Sequence, residues 1–224
     1  MKYIQICLLL LSFIMETSAM EWKYTMQDTL VKTITDKNKV QASVNVEVID
    51  YFIAKITPYA RQYPPHFENK ADQVDVTKKL DQLSMILDVL VRNEPNNIGI
   101  LNRAAFINNM AHNVNIKGTH TKAKKYYEKS LFLKPDSEKI NSLYGMFLAN
   151  TEKVPKESIG YLEKALKLGN EDARFTLGLL YVRQGKAEKG MQMLEQYEAK
   201  NPNNQHVKKI IKAIQDKKLT FEAT

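Results

Sequence analysis

Cysteine is nearly absent from this chain: there is one, Cys7, in 224 residues. It lies so near the amino terminus that the rest of the sequence offers no thiol, disulfide or cysteine metal ligand, and apolar packing must hold the fold. Long apolar runs are missing as well. The best spans residues 4–15, broken by Gln5 and Ser12, and falls short of the ~20 residues a bilayer-spanning helix needs. Catalytic signatures are absent too: no Gly-x-Gly-x-x-Gly, phosphate loop, His-Glu-x-x-His, Gly-x-Ser-x-Gly or Ser-x-x-Lys. Of four histidines (His66, His112, His120, His206), only His112 and His120 are near one another, flanking a polar loop with no acidic residue between them. Two loop histidines are the ordinary reading of that pair, with a metal site as the alternative. Acidic residues are plentiful but interleaved with Lys, so no carboxylate pair stands out. These absences argue against an enzyme and against a resident cofactor or metal.

What is present begins with an address. Lys2 precedes the 4–15 apolar run, and Thr17-Ser18-Ala19 follows, with small residues at the −3 and −1 positions of a cut after Ala19. Residues 1–19 are therefore expected to be a cleaved signal peptide and the protein periplasmic or secreted. An uncleaved anchor or buried helix is the competing reading. No Asn-x-Ser/Thr acceptor occurs, which fits a bacterial periplasm. The net charge of +8 survives the cut, because Lys2 and Glu16 cancel. Clusters such as Lys122, Lys124, Lys125 and Lys129 fall on outward helix positions, so a solvated basic face is expected rather than a nucleic-acid site.

Along the remainder, residues 20–40 are polar with weak periodicity, and Met26, Leu30 and Ile34 on one face allow a short helix over 26–34. From Val44 the pattern is ambiguous: Val44, Val46 and Val48 alternate like a strand, while Val44, Val48, Phe52 and Ile56 share a helix face. Ile49, Ile53 and Ala60 favour the helix, with Pro58 bending or ending it. Tyr63-Pro64-Pro65-His66 is a break. Asp75 is expected to cap a helix carrying Leu80, Leu83, Leu87 and Leu90, which stops at Asn93-Glu94-Pro95. Three helical hairpins follow, at 98–111 with 121–133, 138–150 with 156–168, and 172–184 with 186–200. A polar loop at 112–121 absorbs about six extra residues. A last helix over 205–216 puts Val207, Ile210, Ile211 and Ile214 inward and lysines outward, as a cap. Gly145 and Gly178 would each cost ~1 kcal/mol in an ordinary helix; close helix approach is the reason to keep them.

Leu177-Gly178-x-x-Tyr181, Gly190-x-x-x-Leu194-x-x-Tyr197 and Pro202 fall in the spacing of a 34-residue repeat. Ala123-x-x-x-Tyr127 with Pro135, and Ser158-x-x-x-Leu162 with Ala165, repeat it. These residues resemble the tetratricopeptide repeat family. Ala165-x-x-x-Gly169-Asn170-x-x-Ala173-x-x-x-Leu177-Gly178-x-x-Tyr181 and Val154-Pro155-Lys156 are similar to the related Sel1-like repeat. In the third repeat Arg174 takes the family's early Trp slot. Gly190 and Ser158 stand where Ala is usual.

The resemblance covers about residues 75–217 and implies an all-α, right-handed superhelical solenoid. The expected organisation is an N-terminal helical region (20–74), a repeat domain with a capping helix (75–217) and a tail (218–224). It also implies a concave groove lined by the first helix of each hairpin. Carried over position by position, the groove residues are Asn102, Phe106, Asn109 and Met110; Lys139, Ser142, Met146 and Asn150; and Phe175, Leu179, Val182 and Arg183. Asn amides can bond a peptide backbone, apolar side chains can form pockets, and Lys139 and Arg183 can meet a carboxylate. The expected function is an adaptor or scaffold for a protein or peptide partner. The alternative is an envelope-associated protein whose basic face meets anionic lipid or glycan. Homo-oligomerisation is compatible with either. A second use of the groove stays open: residues 44–63 are apolar enough to fold back and fill it.

Overall fold

The computed structural model describes residues 20–34, 40–151 and 156–216. The expected signal peptide with Cys7, the Val154-Pro155 part of the Sel1-type loop and the tail lie outside the described residues.

The amino-terminal part departs first from expectation. Instead of a helix over 26–34 there is one 3-10 turn (Met26–Thr29), then strand β1 (Leu30–Ile34) paired antiparallel with β2 (Val40–Val44). Val31, Thr33 and Ile34 are β-formers, and Val40–Val44 supplies a ladder partner that no local pattern could announce. The alternating valines then split between two structures. Val44 closes β2, and helix α1 (Val46–Ala60) starts behind it. Asn45 caps α1, its side chain accepting from the backbone N–H of Glu47 and Val48 at 3.1 and 3.3 Å. Pro58 does not end α1, which runs on to Ala60.

Helix α2 (Lys70–Asn93) starts earlier than expected. Asn69 is its cap, accepting from the Asp72 N–H at 2.8 Å. Asp75 instead holds the Trp22 indole N–H at 2.7 Å. Three hairpins then follow near the expected bounds: α3 (Ile98–Asn113) with α4 (Thr119–Leu133), α5 (Glu138–Thr151) with α6 (Lys156–Lys167), and α7 (Asp172–Arg183) with α8 (Ala187–Lys200). Helix α9 (Gln205–Gln215) closes the stack, capped by Asn204. The α3–α4 loop is only 114–118 and carries the positive-φ residues Asn115 and Gly118, so the polar segment is shorter than its composition implied.

Packing follows the register of small residues. Ser158 sits against α5 and donates to the Gly145 carbonyl at 2.7 Å. A Cβ on Gly145 would lie 2.6 Å from Leu162 Cγ. One hairpin on, a Cβ on Gly190 would lie 2.6 Å from the Gly178 carbonyl oxygen, so α7 and α8 touch backbone to backbone. Tyr127, Tyr144 and Phe147 are fully buried; Tyr127 of α4 packs tilted against both α5 rings, which stack on each other, with centroids 5.6–6.2 Å apart. Each hairpin packs most extensively within itself and then on the next, and the first helices α3, α5 and α7 also touch in sequence. The result is the expected helical-repeat solenoid.

Candidate functional site

The first helices of the hairpins make one face of the stack, and α1 reaches onto the start of it. The Asn113 side chain donates to the Ala60 and Arg61 carbonyls at 2.8 and 3.1 Å. Thr57 Oγ1 lies 3.9 Å from Met110 Sδ. Residues 61–63 then continue along the face, with the Arg61 guanidinium 3.8 Å from Met146 Sδ. The α1 segment therefore occupies one end of the groove and leaves the rest open.

Two adjoining cavities remain, of about 450 and 760 Å³, sharing Arg61, Phe106, Leu143 and Asp172. The smaller has an apolar wall of Phe106, Met146, Phe175 and Leu179. Phe175 packs on Tyr197 and His206, with centroids 5.5 and 6.2 Å apart, so α8 and the first turn of α9 close its far side. Asn109, Asn150, Arg61 and Asp172 supply polar groups. The larger cavity holds Asn102, Lys139 and Ser142 beside the Asp50–Arg103 ion pair. That pair is bidentate, at 2.7 and 2.6 Å, and Asp50 raises the Arg103 pKa, fixing its charge. The buried Asn102 side-chain oxygen accepts no hydrogen bond from the described residues.

Nine of the twelve groove residues expected from the sequence thus line these cavities: Asn102, Phe106, Asn109, Lys139, Ser142, Met146, Asn150, Phe175 and Leu179. Three do not. Met110 is fully buried beneath α1. Val182 turns toward α8, where its Cγ2 would meet a Cβ on Gly190. Arg183, in the last turn of α7, lines neither cavity. The sequence reading missed Arg61, Asp172, Tyr197 and His206. Asp172 and His206 each lie in the first turn of a helix that was expected, and that position was the available signal. Arg61 and Tyr197 reach the site only through tertiary packing.

The two histidines expected in a loop instead lie in helices, half-buried in the last turn of α3 and the first turn of α4. They meet edge to face at 5.0 Å, and His120 also lies on Phe147. Burial, and then the neighbouring His120, lower the His112 pKa. No group of three or more metal-ligating side chains occurs among the described residues.

No family model matches the sequence, and no curated protein matches it. The structure, however, is similar to that of a tetratricopeptide-repeat (TPR) protein from the thermophile Thermus thermophilus. The TM-score is 0.53 at 12% sequence identity, over 74% of this chain and 88% of that one. At that identity the likeness defines a fold class. The chain has a TPR-like solenoid fold.

Proposed function

We propose that this is an exported interaction module that holds an extended or helical peptide segment of a protein partner on its concave face. The observation that carries the proposal is the pair of adjoining cavities along α3, α5 and α7, with an apolar wall at Phe106, Met146, Phe175 and Leu179. Polar side chains stand beside that wall: Asn109 and Asn150 for a peptide backbone, Lys139 and Arg61 for acidic groups, Asp172 for a basic one. Solenoid concave faces use this combination for recognition, and fold alone does not prescribe chemistry. Export is supported by Lys2, the 4–15 apolar run and Thr17-Ser18-Ala19.

Photo-crosslinking in the source cell tests the reading, with the probe placed at Phe106 or Leu179 in the groove and at Lys124 outside it. A discrete protein adduct from the groove probes alone is the expected result, and Leu179→Glu should remove the adduct from the Phe106 probe. Adducts only within the chain, or lipid adducts from the Lys124 probe alone, would overturn it.

A further inference from the structure

The cut expected after Ala19 would make Met20 the first residue, and the structure places the Met20 nitrogen against a buried carboxylate. Asp72 is only 4% exposed. Its Oδ1 accepts from the Met20 backbone nitrogen at 3.2 Å, and its Oδ2 accepts from the Asn69 side-chain amide at 2.8 Å. The following residues are pinned on both sides. The Trp22 indole donates to Asp75 at 2.7 Å and packs on Phe52 at 5.5 Å, and Lys79 Nζ sits 4.4 Å over its ring. The Lys23 N–H donates to the Tyr51 hydroxyl at 2.8 Å. Residues 20–24 are thus bonded to both α1 and α2, and Met20 nitrogen is held where it meets Asp72.

We propose that leader removal converts this contact into an internal ion pair between the new α-ammonium of Met20 and the Asp72 carboxylate. This rests on the export reading above. The covalent step is hydrolysis of the Ala19–Met20 peptide bond by a leader-cleaving protease. Water adds across the bond, Ala19 leaves with the carboxyl group, and Met20 keeps the protonated amine. A neutral amide donor to a buried carboxylate becomes a charged donor with three N–H groups. The amide hydrogen bond to the carboxylate is already charge-assisted; the ammonium adds the attraction of a full opposite charge at the same short distance. The surroundings favour the cation. A cavity of about 280 Å³ beside Met20 is lined by Glu21, Glu68 and Asp72 against one lysine, Lys55, with Tyr59 completing the wall. Processing and folding are thereby coupled: the cut chain gains an interaction that the uncut chain lacks.

The test uses the full-length chain expressed with export and purified from the exported fraction. Intact mass and N-terminal sequencing should show Met20 first. Acylation of its α-amine at neutral pH should be about tenfold slower in the folded protein than in urea, because an adjacent opposite charge holds the amine protonated. Asp72→Asn should restore the fast rate. It should also lower the Tm of the cut protein more than that of a chain kept uncut by Ala19→Leu. A first residue other than Met20 in the exported protein would overturn this inference and leave export standing, while absence from the exported fraction would overturn both. Met20 first, with equal labelling rates folded and unfolded, would overturn this one alone. If Asp72→Asn does not fold, the unaltered protein's labelling rate still decides.

Discussion

The two halves of the molecule are held together by different means. From α5 to α8 the stack is fastened by small residues in register: Gly145 beneath Leu162 and bonded by Ser158, then Gly178 beneath Leu194 and Gly190 against the Gly178 carbonyl and Val182. The amino-terminal part has no such register. It is fastened by individual polar and aromatic contacts between residues more than fifty positions apart, such as Trp22 with Asp75, Arg103 with Asp50 and Asn113 with Ala60. The difference teaches where sensitivity lies. A register of close approaches fails when anything is added, while a set of anchors fails when something is removed.

Adding one methyl in the register should have the largest effect. Gly190→Ala drives a Cβ toward the Gly178 carbonyl and Val182, and overpacking of this kind costs ~1–3 kcal/mol, here toward the upper end because backbone is involved. The same change at Gly160, where nothing lies within 4 Å, should be stabilising by up to about 1 kcal/mol. Urea unfolding of the two variants measures both, and equal effects would erase the distinction.

Removing an anchor comes next. Trp22→Ala strips its contacts with Phe52, Asp75 and Lys79 and should cost about 2 kcal/mol for a half-buried aromatic with one hydrogen bond. Hydrogen exchange should quicken in α1 and the start of α2 and stay unchanged in α7 and α8. Uniform quickening would show that the two halves open together.

The smallest effect is electrostatic. Glu171 is held down to about 2 by its hydrogen bond with Arg174, then by Lys200. Because the folded-state pKa is below the unfolded one, the contribution is present above the ordinary carboxylate range and is lost as pH falls from about 4.5 toward 2. The group is largely solvated, so screening keeps the effect small. Glu171→Gln should flatten only that part of the acid limb, and added salt should mimic it.

Much of this organisation was legible in the sequence where local signals agreed. Pro95, Pro135 and Pro202 punctuate the hairpins, and glycine or serine at the close approaches sets their phase. Seven helices from α3 to α9 fall within about two residues of the expected bounds at each end. The start of α2 was misplaced because Asn69 and Asp75 are both competent caps, and nothing between them breaks a helix. The hairpin β1–β2 was missed because a strand's partner is a non-local fact. The groove residues on α3, α5 and α7 could be named because they repeat. The apolar character of 44–63 left a fold-back into the groove open, but that α1 would cover Met110 in particular, and bring Arg61 into the site, depended on how it docks onto α3, which no spacing encodes.

Helix α9 packs Val207 and Ile211 onto the last hairpin, while residues 20–24 and α1 cover the other end. The array is thereby a finished object rather than an open series. A duplicated hairpin inserted between α6 and α7 would lengthen the concave face and leave both stoppers in place. One appended after α9 would find no complementary surface waiting for it. The molecule's reach is set by how many units lie between its stoppers, so the size of what it grasps is changed from within, not by growth at its tips.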